Sequence, residues 1–163
     1  MDLLSILRNE IKDVKSIETQ KRESIIESVD FNKYKIYNFS QLKDHLTTVH
    51  FGNIGRSQTT DKTILTTYVK FIECTFPDHL VFDSDLNVEF NNCTFFGFIN
   101  NNFNVKSKMK FYKCHFRNKI ICDNVSFEEI VDFWGSTFHE TVIFYKVNFN
   151  DVSVFSSVIF KQN

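Results

Sequence analysis

Met109-Lys-Phe-Tyr-Lys-Cys-His-Phe116 recurs one repeat later as Val131-Asp-Phe-Trp-Gly-Ser-Thr-Phe138, and after an equal interval as Ser153-Val-Phe-Ser-Ser-Val-Ile-Phe160. Midway between these copies stand Ile120-Ile-Cys-Asp-Asn-Val-Ser-Phe127 and Val142-Ile-Phe-Tyr-Lys-Val-Asn-Phe149, the same unit offset by half a repeat. Large inward candidates therefore fall at 111, 116, 122, 127, 133, 138, 144, 149, 155 and 160, with steps alternating five and six; Cys122 takes a Phe place. A helix period of 3.6 or a strand period of 2 does not generate that alternation. A coil with four short sides does. Each side turns one large residue inward, with a small inward residue two places earlier, and the interval from Phe111 to Phe133 closes one turn. Successive turns then stack at about 4.8 Å, the spacing between strands.

Upstream, Val69-Lys-Phe-Ile-Glu-Cys-Thr-Phe76 and Val88-Glu-Phe-Asn-Asn-Cys-Thr-Phe95 extend the pattern. One column would hold Phe71, Phe90, Phe111, Phe133 and Phe155, and a second Phe76, Phe95, Phe116, Phe138 and Phe160. A third contains Phe82, Cys122 and Phe144, and a fourth Phe127 and Phe149. Composition agrees, with 20 Phe in 163 residues against 1 Pro and 4 Gly, a skew that points to repeats.

The small inward positions read Cys74, Cys93, Cys114, Ser136 and then Ser153 or Val158. The cysteines are accordingly expected to pack as a ladder of small groups. Their separations match successive coils and not a chelating pair, and no Cys-x-x-Cys occurs.

This pattern resembles the pentapeptide-repeat family, whose unit centres on Phe or Leu with a small residue two places before it. The resemblance covers residues 69–160, with an irregular patch near Gly97–Ser107 where the coil at Asn100-Asn-Asn-Phe103 is expected to bulge outward. It implies an all-β solenoid, a right-handed quadrilateral β-helix, and no shared catalytic residues.

Residues 1–28 read as an amphipathic helix, with Leu4, Leu7, Ile11 and Val14 at heptad spacing. Such a helix would cap the first coil, or alternatively form a dimerisation arm. Residues 29–68 form an irregular α+β lead-in that could include degenerate coils. Val29-Asp-Phe31 and Val49-His-Phe51 stand 40 and 20 residues before Val69-Lys-Phe71, which invites aligning them with it. A short helix from Ser40 to Leu46 and a polar loop over 52–62 complete this part. Residues 69–163 are the solenoid.

Chemistry is sparse. His45 and His50 are badly spaced for a metal, His79, His115 and His139 read as surface residues, and Glu128-Glu129 has no candidate partner. No nucleophile elbow or phosphate-cradling loop is present. The expectation is a non-catalytic protein-interaction or scaffold module without cofactor or metal, standing alone or as part of a longer regulatory or membrane-associated protein. An alternative is an immunity or topoisomerase-protecting protein of the DNA-mimic type, which the resemblance brings in. With 19 basic and 20 acidic residues, neither a nucleic-acid-binding patch nor a strongly acidic stripe is evident. The chain has no signal-like start and no membrane span, so a cytoplasmic place is expected.

Surface aromatics are the better lead. Tyr112 and Trp134 are one full coil apart and should be neighbours on one face, with Tyr145 at the equivalent place opposite. Exposed rings of this kind either anchor a partner or shield backbone at the corners. At the other end the repeat is still in register at Phe155 and Phe160. Two chains could stack there as a homodimer, or a following segment of a longer protein could cover the rung.

Overall fold

A computed structural model describes residues 11–15, 22–34, 40, 68–78, 80–82 and 87–161. Strands are β1 (Ile11–Lys15), β2 (Arg22–Glu27), β3 (Tyr68–Ile72), β4 (Thr75–Phe76), β5 (Asn87–Asn91) and β6 (Thr94–Phe95). They continue as β7 (Phe98–Val105), β8 (Met109–Tyr112), β9 (His115–Phe116), β10 (Ile120–Phe127) and β11 (Val131–Asp132). The last are β12 (Thr137–Phe138), β13 (Val142–Tyr145), β14 (Asn148–Phe149), β15 (Ser153–Val154) and β16 (Ile159–Phe160).

Each strand from β2 onward pairs in parallel with its counterpart in a neighbouring turn. Val69, Val88, Met109, Val131 and Ser153 are matched partners along one sheet, which marks four complete turns, the first shorter than the last two. That sheet runs β1-β2-β3-β5-β8-β11-β15, a second runs β4-β6-β9-β12-β16, and a third joins β7, β10, β13 and β14. The fold is an all-β solenoid.

Two long phenylalanine columns run through its interior, beside the shorter ones that pair Cys122 with Phe144 and Phe127 with Phe149. Along the first, neighbouring rings from Phe71 to Phe155 stack with centroids 4.9–5.2 Å apart and planes within 20°. Along the second, from Phe76 to Phe160, the spacing is 4.7–5.2 Å. Between columns the rings meet edge to face, as Phe90 and Phe95 do at 4.9 Å and 81°. Offset stacking within a column and edge contacts across it satisfy both preferred aromatic geometries at once.

The small inward residues do more than save space. Cys93 and Cys114 donate their thiols to the carbonyls of Phe71 and Phe90, each at 3.4 Å. Ser136 donates to Phe111 carbonyl at 2.8 Å and accepts the Cys114 N–H at 3.1 Å. Cys and Ser are interchangeable here because both are small and both carry a donor for the turn before. All four cysteines are buried, and none is in a disulfide. The thiol of Cys74 is pushed up in pKa by its hydrogen bond with Cys93 and by burial, and that of Cys93 chiefly by burial.

Three sequence expectations need correction. Ile11–Lys15 and Arg22–Glu27 are strands, not parts of a helix: Ile11 and Val14 lie on β1, which pairs antiparallel with β2. Leu4 and Leu7 lie outside the described residues. Heptad spacing alone could not reveal that β2 is a rung of the solenoid whose far edge takes β1, leaving its backbone groups paired.

Second, Val29-Asp-Phe31 does not align with Val69-Lys-Phe71. Ser24 and Ile26 pair with Val69 and Phe71, Asp30 bridges to Thr75, and Phe31 stacks on Phe76 at 5.0 Å. Residues 24–31 thus form one more rung, out of the expected register by the step from Ser24 to Val29. Val49–Phe51, the loop at 52–62 and all of the short helix but Ser40 lie outside the described residues.

Third, the backbone of β7 does not bulge. It pairs with β10 in register from Phe98↔Ile120 to Val105↔Phe127. The irregularity sits at the preceding corner, where Phe95 to Phe98 spans one residue fewer than Phe116 to Ile120. Gly97 makes that shortcut possible with φ of 145°, and an added Cβ would meet Lys119 carbonyl at 3.0 Å and Asp78 Oδ1 at 2.9 Å.

Two measurements check this interior. Phe111→Ala should destabilise the chain by about 3–5 kcal/mol. Phe155→Ala, on the part-exposed last rung, should lose less than half as much by denaturant titration. Equal losses would show that the columns do not form one graded core. The thiols should resist alkylation in the native protein and react together only on unfolding; a fast-reacting cysteine among Cys74, Cys93 or Cys114 would show an open ladder.

Candidate functional site

The outer face of the β3-β5-β8-β11 sheet is the most differentiated surface described. Its outward residues form two columns. Lys70, Glu89, Lys110 and Asp132 are matched strand partners whose charges alternate in sign. Lys70 Nζ lies 3.5 Å from Glu89 Oε1, which also accepts the Asn91 side-chain amide at 2.9 Å. Alternation of this sort supports register without building a field of one sign.

The second column reads Ile72, Asn91, Tyr112 and then Trp134 at the corner. Tyr112 and Trp134 do lie side by side, with ring centroids 6.3 Å apart at 80°. Trp134 N–H donates to Asp132 Oδ1 at 2.9 Å, which fixes the turn that presents the indole. Gly135 follows with φ of 68°, and a Cβ there would meet Lys113 Cγ at 3.3 Å. Leaving that space empty lets Lys113 reach across, so its Nζ sits 5.6 Å from the Trp134 ring centroid. Asn91, Asn92, Tyr112, Lys113, Asp132 and Trp134 together line an open groove of about 510 Å³.

Chemically the groove offers one exposed indole, a phenol edge, a cation, a carboxylate and two amides. It is an open surface of mixed polarity. Asn91 falls in the same outward column as Tyr112 in the sequence, whereas Asn92, Lys113 and Asp132 were not singled out by sequence reasoning. The signal was present, since each stands beside Tyr112 or Trp134 once the chain is written in turns.

Tyr145 lies elsewhere, on β13 in the third sheet, 57% exposed and with Lys146 Nζ 5.2 Å from its ring centroid. Phe155 and Phe160 belong to the last described rung, where they are 38% and 57% exposed and stack on Phe133 and Phe138. Phe144 and Ile159 share that exposure. Glu128 accepts the side-chain amide of Asn150 at 3.0 Å.

His115 and His139, treated separately in the sequence, are adjacent: Nδ1 of the first is 3.2 Å from Nε2 of the second. Partial desolvation, then the charges of Arg117 and Lys161, lower both pKa values, and His115 adds to the effect on His139. Among the described residues no group of three or more His, Cys, Asp or Glu side chains converges as metal ligands. Also among them, no helix is long and apolar enough to cross a membrane. Comparison with protein-family models, curated proteins and solved structures finds no match for the chain.

Proposed function

We propose that this chain is a non-catalytic interaction module of the pentapeptide-repeat kind, a right-handed quadrilateral β-helix that binds a protein partner on the Tyr112–Trp134 face. The observation that carries the reading is the exposed Trp134, 42% accessible, set against Tyr112 in a groove with Lys113 and Asp132. Indole and phenol side chains are among the residue types on which binding energy concentrates. A rigid sheet beneath them keeps the loss of conformational freedom on binding small.

The exposure of Phe155 and Phe160 on the last described rung supports a second contact, in which these residues of two chains stack end to end as a homodimer. Buried free thiols fit a reducing, cytoplasmic compartment. The DNA-mimic alternative finds less support, because the column Lys70, Glu89, Lys110, Asp132 alternates in sign where a mimic needs a run of acids.

Affinity capture with the intact chain should retain a specific partner that Trp134→Ala loses by tenfold or more while Tyr145→Ala keeps it. Identical capture by Trp134→Ala rules out this face. Light scattering of Phe160→Glu reads the rung separately: a dimer that becomes a monomer supports end-to-end stacking, and an unchanged mass refutes it.

A further inference from the structure

His115 and His139 are built into a fixed geometry that the interaction reading leaves unused. His115 stands on β9 and pairs in register with Thr137, two residues before His139. The N–H groups of Arg117, His139 and Lys161 donate to Phe95, Phe116 and Phe138 carbonyls at 2.8–2.9 Å, so these three residues stack at one corner of successive turns. Both imidazoles lie on the outer surface, partly exposed. Their centroids are 5.4 Å apart with planes at 41°, and the facing nitrogens are 3.2 Å apart.

An N–H···N hydrogen bond accounts for that contact only at the long end of the usual range. The same separation is what two nitrogens have when bound side by side to one ion. With metal–nitrogen bonds of about 2.0–2.1 Å, the observed spacing subtends about 100–106° at the metal, between square and tetrahedral values.

We propose that His115 Nδ1 and His139 Nε2 form a two-imidazole chelate for a divalent transition ion, of which copper, nickel and zinc are the class. On binding, the proton between the rings moves to a nitrogen facing solvent. His115 then carries its proton on Nε2 and His139 on Nδ1, and each facing lone pair goes to the metal. Modest ring rotation, open to part-exposed side chains, aims both lone pairs at one point. The strand register holds the two backbones, so little ordering is lost when the ion enters.

The neighbouring charges define what else the ion carries. Arg117 and Lys161 act on both imidazoles, disfavouring a bare cation and favouring an anion in the open coordination positions. The site therefore takes the metal together with a carboxylate, phosphate or halide. Magnesium and calcium require oxygen ligands and gain nothing from two imidazoles.

The test uses the full chain with any histidine tag removed. Thermal unfolding with saturating copper, nickel, zinc, manganese or magnesium chloride should give midpoint rises that follow the order copper above nickel and zinc, then manganese, with none for magnesium. His115→Gln and His139→Gln should each remove most of the rise while unfolding as the parent does without metal. Copper bound to the parent should display two imidazole nitrogens in its electron-spin spectrum. The proposal is overturned by the absence of any rise. A rise that survives in the double His variant overturns it too, since the ion then sits at other histidines or at thiols, and so does a copper spectrum with one nitrogen.

Discussion

Rings in the Phe71–Phe155 column repeat at 4.9–5.2 Å, and hydrogen-bonded strands repeat at about 4.8 Å. Two periodicities of different origin, aromatic contact and the backbone ladder, thus nearly coincide. That near-identity is the constraint on which the rest depends. A ring cannot leave its place without opening a void beside two neighbours, and a strand cannot slip by one residue without turning its ring to solvent. Each turn is held in register by the turns on both sides. Variation in turn length, with Val69 to Val88 the shortest interval and Val131 to Ser153 among the longest, is confined to segments between the stacked positions.

The corners show how the chain meets a backbone demand that its composition does not favour. Ser28, Glu73, Asn92, Lys113 and Ser157 all have φ between 52° and 58°, and Gly135 takes the same corner at 68°. A left-handed residue there costs roughly 1–2 kcal/mol when it is not glycine. Inter-turn hydrogen bonds oppose that strain. N–H groups of Glu73, Asn92, Lys113 and Gly135 donate to the following turn at 2.9–3.0 Å, each at one of these corners. Corner identity is consequently loose, and the residues on either side are free to serve the surface.

This looseness explains what could be read from the sequence and what could not. Inward residues repeat because every rung imposes the same volume, so the five-and-six alternation alone pointed to the solenoid and both Phe columns. The rung at 24–31 escaped because Ile26, Val29 and Phe31 fill places held by Phe71, Cys74 and Phe76, and only Phe31 keeps the diagnostic residue. Its strand also carries Ile25 and Ile26 together, which breaks alternation and suits a helix face as well as a strand. Upstream, Ile11 and Val14 are three apart, a helical spacing, yet they sit on a strand because β2 offers an edge to pair with. Tertiary pairing overrode local preference there. Placement of Tyr112 beside Trp134 was legible from their one-coil separation, whereas Lys113 over the indole depends on the gap at Gly135.

Function is harder to read for the same physical reason that the fold is easy. The stack fixes inward residues and leaves outward ones unconstrained, so an outward residue carries information only where neighbouring turns depart from the plain polar background. Two such departures occur on the described surface. At one, alternating charge gives way to Tyr112 and Trp134 with a cation laid across the indole; at the other, paired imidazoles face each other beside Arg117 and Lys161. In both, residues one turn apart are brought to fixed separations that neither turn could impose alone. A solenoid can therefore compose a surface site by juxtaposing turns, and the unit of such a site is a pair of rungs rather than a single repeat.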